Sequence, residues 1–419
     1  MLYKSYRQMY DIGRLQISVF ATNIGLPGSN ATIQITPRDN KTYILEKLVT
    51  DSSGQTTIID LPAPPLEYSM QANMPKPYSE YDIHIMMEGY NSTIIEGVQI
   101  FPNRTAYQEV FLIPTIKNYD ETNMILINDH ALWGIFPPKN YEESVKLLPE
   151  SLGHVVLPDP VIPEYIIVHD GAPNDTTVQN YWIPFKDYIK NVASCEIYST
   201  WPVETIKANV LAIISFTLNR VYTEWYRGRG YNFTITSSTA YDHAFTYGRN
   251  IYKEISNVVD EIFTSFITKP DIRQPLLTQY CDGQRVSCPN WMSQWESKEL
   301  GDKGYNSINI LKNFYGYEIY LMEATKVSGV PTSYPGNALQ VGSSGSHVRT
   351  IQEQLNVISN NYPAIEKIRV DGTFGEQTKT AVETFQEVFK LPVNGIVDFS
   401  TWYKISDIFV AITNMAELV

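Results

Sequence analysis

The chain has 419 residues, 43% of them hydrophobic and 18% charged, with 29 Tyr, 25 Pro and a formal net charge of -13. That length exceeds one ordinary core and suggests about three domains, while the composition excludes wholesale disorder. The acidic balance, with no compensating basic stripe, excludes a nucleic-acid partner, because a polyanion is bound by clustered Lys and Arg that displace counterions.

Residues 1–13 alternate polar and aromatic side chains and lack the apolar stretch of a secretion signal. No later run approaches the roughly 20 apolar residues of a membrane span. The expectation is a soluble chain, not exported by a standard signal. Three cysteines make no disulfide framework. Cys281 and Cys288 can pair in an oxidising compartment or stay reduced, and Cys195 reads as a small buried residue.

Residues 1–114 form the first expected domain, a β-sandwich. Alternating runs such as Leu15-Gln16-Ile17-Ser18-Val19 and Ala31-Thr32-Ile33-Gln34-Ile35 are separated by turns at Leu26-Pro27-Gly28 and Asp51-Ser52-Ser53-Gly54. The order of these elements resembles the transthyretin-like or carboxypeptidase-regulatory sandwich, with residues 50–56 as the connecting hairpin, a resemblance that implies fold and no chemistry. Residues 115–163 read as a linker. They are acidic in places and close on Pro158, Pro160 and Pro163, which hold the backbone extended and forbid a helix.

Residues 164–330 read as a mixed, helix-rich α+β domain. Tyr165 to His169 suit a strand, and helices are predicted over 186–195, 203–221, 250–266 and 306–315. The second is the best formed: Pro202 suits its first turn, and Ile206, Val210, Ile213, Ile214 and Leu218 share a face. Residues 335–419 carry an internal repeat, in which Val370-Asp371-Gly372-Thr373-Phe374 is echoed by Val393-Asn394-Gly395-Ile396-Val397. Helices over 348–358 and 378–389 complete a three-helix module. The whole is a multidomain α+β chain.

Glu196 stands out chemically. It precedes Trp201-Pro202 and the strongest helix, so one carboxylate is fixed on a rigid frame, as a catalytic acid requires. His169-Asp170 lacks a G-x-S-x-G nucleophile elbow and reads as a strand end. No HExxH or CxxC spacing occurs, so no metal and no cofactor are expected.

The C-terminal motifs resemble the peptidoglycan-binding domain of wall hydrolases over about 339–406: Leu339-Gln340-Val341-Gly342, then Ile351-Gln352 with Leu355-Asn356, Asp371-Gly372-Thr373-Phe374-Gly375, Ala381-Val382 with Phe385-Gln386, and Val393-Asn394-Gly395. The middle domain resembles the stage II sporulation protein D family of lytic transglycosylases, through Lys186-Asp187-Tyr188-Ile189, Glu196 with Trp201-Pro202, Glu204-Thr205-Ile206-Lys207-Ala208, and Met292-Ser293-Gln294-Trp295 with Gly304-Tyr305. That resemblance implies that Glu196 is the catalytic acid. It also implies substrate contacts at Tyr241, Tyr280, Gln294 and Trp201, with core packing the alternative for the tyrosines. Some members of that family bind zinc through Cys and His, but here His243 has no accompanying Cys.

A single carboxylate suffices for such a reaction, in which the muramic acid 6-hydroxyl attacks its own anomeric carbon; ordinary glycosidases use two carboxylates. The order of the three domains resembles the spore cortex-lytic enzymes of anaerobic spore formers. It implies an inactive precursor deposited around the forespore by the mother cell, and cortex peptidoglycan bearing muramic-δ-lactam as substrate. It also implies activation by a subtilisin-like germination protease, expected to cut near residues 151–156. The other readings are a non-catalytic wall-binding scaffold, and a hydrolytic muramidase or glucosaminidase with Asp242 or Asp282 as second carboxylate.

Overall fold

The computed structural model describes residues 10–115, 122–146 and 159–413. The expected processing region at 151–156 lies outside them. Alternation along β1 (Asp11–Ala21) and β2 (Thr32–Pro37) turns Leu15, Ile17, Val19, Ile33 and Ile35 into a fully buried layer. β2 joins a five-stranded sheet with β3 (Glu46–Val49), β5 (Ser79–Met86), β6 (Thr93–Ile100) and β8 (Asn123–Leu126), in the order β3-β2-β5-β6-β8. β1 lies between β4 (Ile59–Ala63), which is followed by the short α1 (Glu67–Met70), and β7 (Thr105–Leu112) in the second sheet. The turn at 50–56 carries the chain from one sheet to the other, since β3 pairs with β2 and β4 with β1. Asp51 accepts from Ser53 N and Gln55 N, and Gly54 has a φ of 73° against the Val19 carbonyl, where a side chain would collide.

The middle of the chain begins with β9 (Tyr165–His169), flanked by β10 (Asn180–Pro184) and β11 (Ile235–Thr236). α2 (Phe185–Glu196) and α3 (Val203–Tyr222) follow the predicted ranges closely. α3 is buried around almost its whole circumference. Two of its hydroxyls are satisfied within the helix, where Ser215 and Thr217 donate to the carbonyls of Leu211 and Ile213, at 2.7 and 2.8 Å.

The single helix predicted over 250–266 is instead three elements: β12 (Ile251–Tyr252), α4 (Lys253–Ile262) and β13 (Ser265–Thr268). Tertiary pairing overrides the helical period at both ends. β12 adds to the edge of the sandwich by pairing with β7, and β13 pairs with β16 (Tyr320–Glu323). β14 (Tyr280–Cys281) pairs with β15 (Met292–Ser293), leading into α5 (Gln294–Asp302) and α6 (Ser307–Tyr315). A disulfide joins Cys281 to Cys288, and Cys195 is a buried free thiol.

The last three helices are α7 (Ser346–Ile358), α8 (Glu376–Val388) and α9 (Phe399–Thr413). The sequence repeat has a physical basis here. Gln352, on α7, accepts from Asp371 N and Gly372 N and donates to Asp371 Oδ1, Thr373 O and Thr378 Oγ1. Gln386, on α8, accepts from Asn394 N and Gly395 N and donates to Asn394 Oδ1, Ile396 O and Thr401 Oγ1. Each glutamine braces the glycine turn that follows it.

This module packs on both preceding parts. Gln55 donates to Val388 O at 2.6 Å, Asn361 to Gly25 O at 2.7 Å and Lys390 to Ser18 Oγ at 2.5 Å. Lys186 pairs with Asp407 at 2.5 Å.

Candidate active site

A helix C-terminus leaves carbonyls without intrahelical partners. At the end of α2 they are taken by groups from far along the chain. Cys195 O accepts from Ala131 N at 2.9 Å, Glu196 O from Gln294 Nε2 at 3.0 Å, and Ile197 O bonds His130 Nε2 at 3.2 Å. The corner that follows is equally fixed. Trp201 is 2% exposed, its indole N–H donates to Ser69 O at 2.9 Å, and its ring lies 5.1 Å from that of Trp295.

The Glu196 carboxylate on this frame is buried. Its Oε1 accepts from Ala244 N at 2.8 Å and its Oε2 from Gln294 Nε2 at 3.3 Å. Burial pushes its pKa up; the nearby Lys139 ammonium and the Ala244 and Gln294 bonds pull it back only in part. Tyr280 lies alongside, with Lys139 Nζ 4.4 Å from its ring centroid. A cavity of about 230 Å³ lies between residues of the 131–139 run and a wall that includes Glu196, Thr239, Tyr280, Asp282 and Gln294.

The structure thus brings Glu196, Tyr280 and Gln294 together at one cleft. Trp201 is not in its wall but in the core beneath α2, and Tyr241 is also absent from the wall, its carbonyl accepting from Arg220 Nη2 at 3.1 Å. His243 is buried and bonded to the Tyr188 hydroxyl at 3.0 Å, and burial holds its pKa well below the usual imidazole range. Among the described residues no cluster of three His, Cys, Asp or Glu could hold a metal ion. His169 bonds Asn180 at 2.8 Å and stacks on Phe233, in keeping with a strand end.

Neither of the other two carboxylates near the cleft is free. Asp242 is fully buried and accepts from Arg220 Nε, Tyr226 OH, Thr236 N and Thr236 Oγ1, all within 2.9 Å. Asp282 Oδ1 caps the turn through Gln284 N, Arg285 N and Val286 N, while its Oδ2 holds Arg285 Nε at 2.9 Å. Sequence reasoning missed Lys139 and Arg285. The available signal was Phe136-Pro137-Pro138-Lys139, a rigid extended delivery of one cation inside a stretch read as linker.

Residues 344–405 match the family described as putative peptidoglycan binding domain. The chain is therefore a protein with a C-terminal peptidoglycan-binding domain, which supports a role at the cell wall. Two solved structures are similar over short stretches. The N-terminal domain of SleB shows 31% identity, covering 18% of this chain and 99% of that one, at a TM-score of 0.16. A peptidoglycan-binding protein from Clostridioides difficile, in complex with glutamine hydroxamate, shows 23% identity over 22% of this chain and 51% of that one, also at 0.16. No curated protein matches the chain.

Proposed function

We propose that the chain is the precursor of a spore cortex-lytic enzyme of the SleC type, which cleaves cortex glycan strands as a lytic transglycosylase during germination. The observation that carries this reading is Glu196, a buried carboxylate with a raised pKa at the wall of a cleft, in a chain with a peptidoglycan-binding tail. A carboxyl group that keeps its proton toward neutral pH can act as general acid. In this mechanism its proton passes to the glycosidic oxygen as the bond from the anomeric carbon breaks. The muramic 6-hydroxyl oxygen then bonds to that carbon, and its proton returns to Glu196. The product ends in 1,6-anhydro-muramic acid.

The engagement of Asp242 and Asp282 favours this use of one carboxylate over the paired carboxylates of a hydrolase. In this reading Gln294 and Tyr280, beside Glu196 in the same cleft wall, orient the sugar. A leader ending near 151–156, removed by a subtilisin-like germination protease, and deposition in the cortex or coat region from the mother cell complete the proposal.

The test is digestion of cortex sacculi by the chain cut at the linker. Mass spectrometry should find anhydro-muramic ends, whereas reducing ends mean hydrolysis and no soluble fragments mean a binding scaffold. Glu196→Gln should abolish release and leave sacculus binding intact; full activity in that variant would overturn the assignment.

A further inference from the structure

We propose that residues 128–146 are an internal plug, with Lys139 lodged at the reacting end of the Glu196 cleft and Arg285 latching the segment down until the chain is cut. This deepens the lytic reading above and rests on it for what the cleft is.

The plug is held at three places. Upstream, His130 and Ala131 cap the end of α2 on either side of Glu196. Beside them, Arg285 Nη1 donates to Trp133 O and Gly134 O, at 2.8 and 2.5 Å, and Nη2 to Ala131 O at 2.8 Å. Arg285 is itself aimed by Asp282, within the loop closed by the Cys281–Cys288 disulfide. Downstream, Gln279 brackets the segment by donating to Asn140 O and accepting from Glu142 N. Glu142 then forms a two-pronged pair with Arg220, at 2.6 and 2.9 Å, and pairs with Lys146 at 2.7 Å.

Between these anchors Pro137 and Pro138 keep the chain extended and deliver Lys139. Its ammonium donates to Asp242 O and lies over the rings of Tyr280 and Phe216, 4.4 and 5.1 Å from their centroids. Glycoside cleavage develops positive charge at the anomeric carbon beside the acid. A cleft whose aromatic face and carboxylate suit that charge also suits a lysine ammonium. The remaining cavity of about 230 Å³ falls short of the roughly 300–1,000 Å³ typical of ligand pockets. The plug thus narrows the space that a glycan strand would occupy beside Glu196.

The experiment uses the full chain, uncut, as wild type, Lys139→Met and Arg285→Ala, with wild type cut at the linker as reference. Calorimetric binding of the N-acetylglucosamine tetrasaccharide is read alongside glycan release from sacculi. Arg285 is part exposed, so its variant folds even where the lysine change does not. Uncut variants should bind the tetrasaccharide about tenfold or more tighter than uncut wild type, because the open fraction rises, and should release glycan without cleavage. Equal binding by uncut wild type and both variants overturns the plug. A cut chain that binds but releases nothing instead overturns the lytic reading and leaves the binding comparison to decide on the plug.

Discussion

Glu196 and Lys139 share one cleft, and their environments act in opposite directions on their protons. Burial raises the glutamate and lowers the lysine, the latter to about 8. For Glu196 the sign is simple: the acid form persists above the ordinary carboxylate range and is lost as pH rises through its raised pKa. Glu196 in the full chain should therefore hold its proton on the acid side and lose it on the alkaline side. Difference infrared titration of wild type against Glu196→Gln should place that loss above 4.5, the ordinary value. A loss at the ordinary carboxylate value would mean that the site does not hold the proton that a general acid needs. At this scale the sequence was legible in part. Glu196 could be found because the Trp-Pro corner and helix that brace it lie close by in the chain. Lys139 could not, because its place depends on contacts with Asp242 and Tyr280 that chain distance hides.

The elements of the last domain show why a repeat can be legible while a strand is not. Gln352 and Gln386 each make the same kinds of contact with a glycine turn near in sequence, so the pattern is local and readable. Gln386→Leu should leave the buried Gly395 amide and the part-buried Asn394 amide without their partner and lower stability by about 2 kcal/mol, on the order of one buried unpaired group. Denaturant unfolding of the full chain measures it, and an unchanged midpoint would show that water replaces the bracket. α5 was also within reach, since Ser293 accepts from Glu296 N at 3.1 Å in the S-x-x-E arrangement of a capping box. The ends of the predicted 250–266 helix were not, because β12 and β13 find their partners at Tyr107 and Met322, remote in sequence.

For the whole molecule, the three parts are joined through buried groups that no local pattern announces. Lys390 sits between the tail and the sandwich, 4.7 Å from the Tyr107 ring centroid, with its pKa pushed down to about 8 by burial. Its folded pKa lies below the unfolded value of 10.5, so the protonated form is disfavoured on folding. That cost is full below about pH 8 and fades as pH rises toward 10.5. Lys390→Met should therefore stabilise the chain most near neutral pH, with the advantage shrinking in alkaline buffer. A pH-independent difference in urea midpoint would argue that the Ser18 bond dominates.

The sheet shared between the sandwich and the middle of the chain bears on what a cut between them would cost in stability. β12 borrows its edge from β7, while Asn250 and Arg249 fasten to Gln99 at 2.8–3.1 Å. A chain that sheds its first part gives up those bonds together with the plug. Under the proposed processing, the cut that frees the cleft also removes these partners, so the remaining chain is expected to unfold at a lower urea midpoint than the full one.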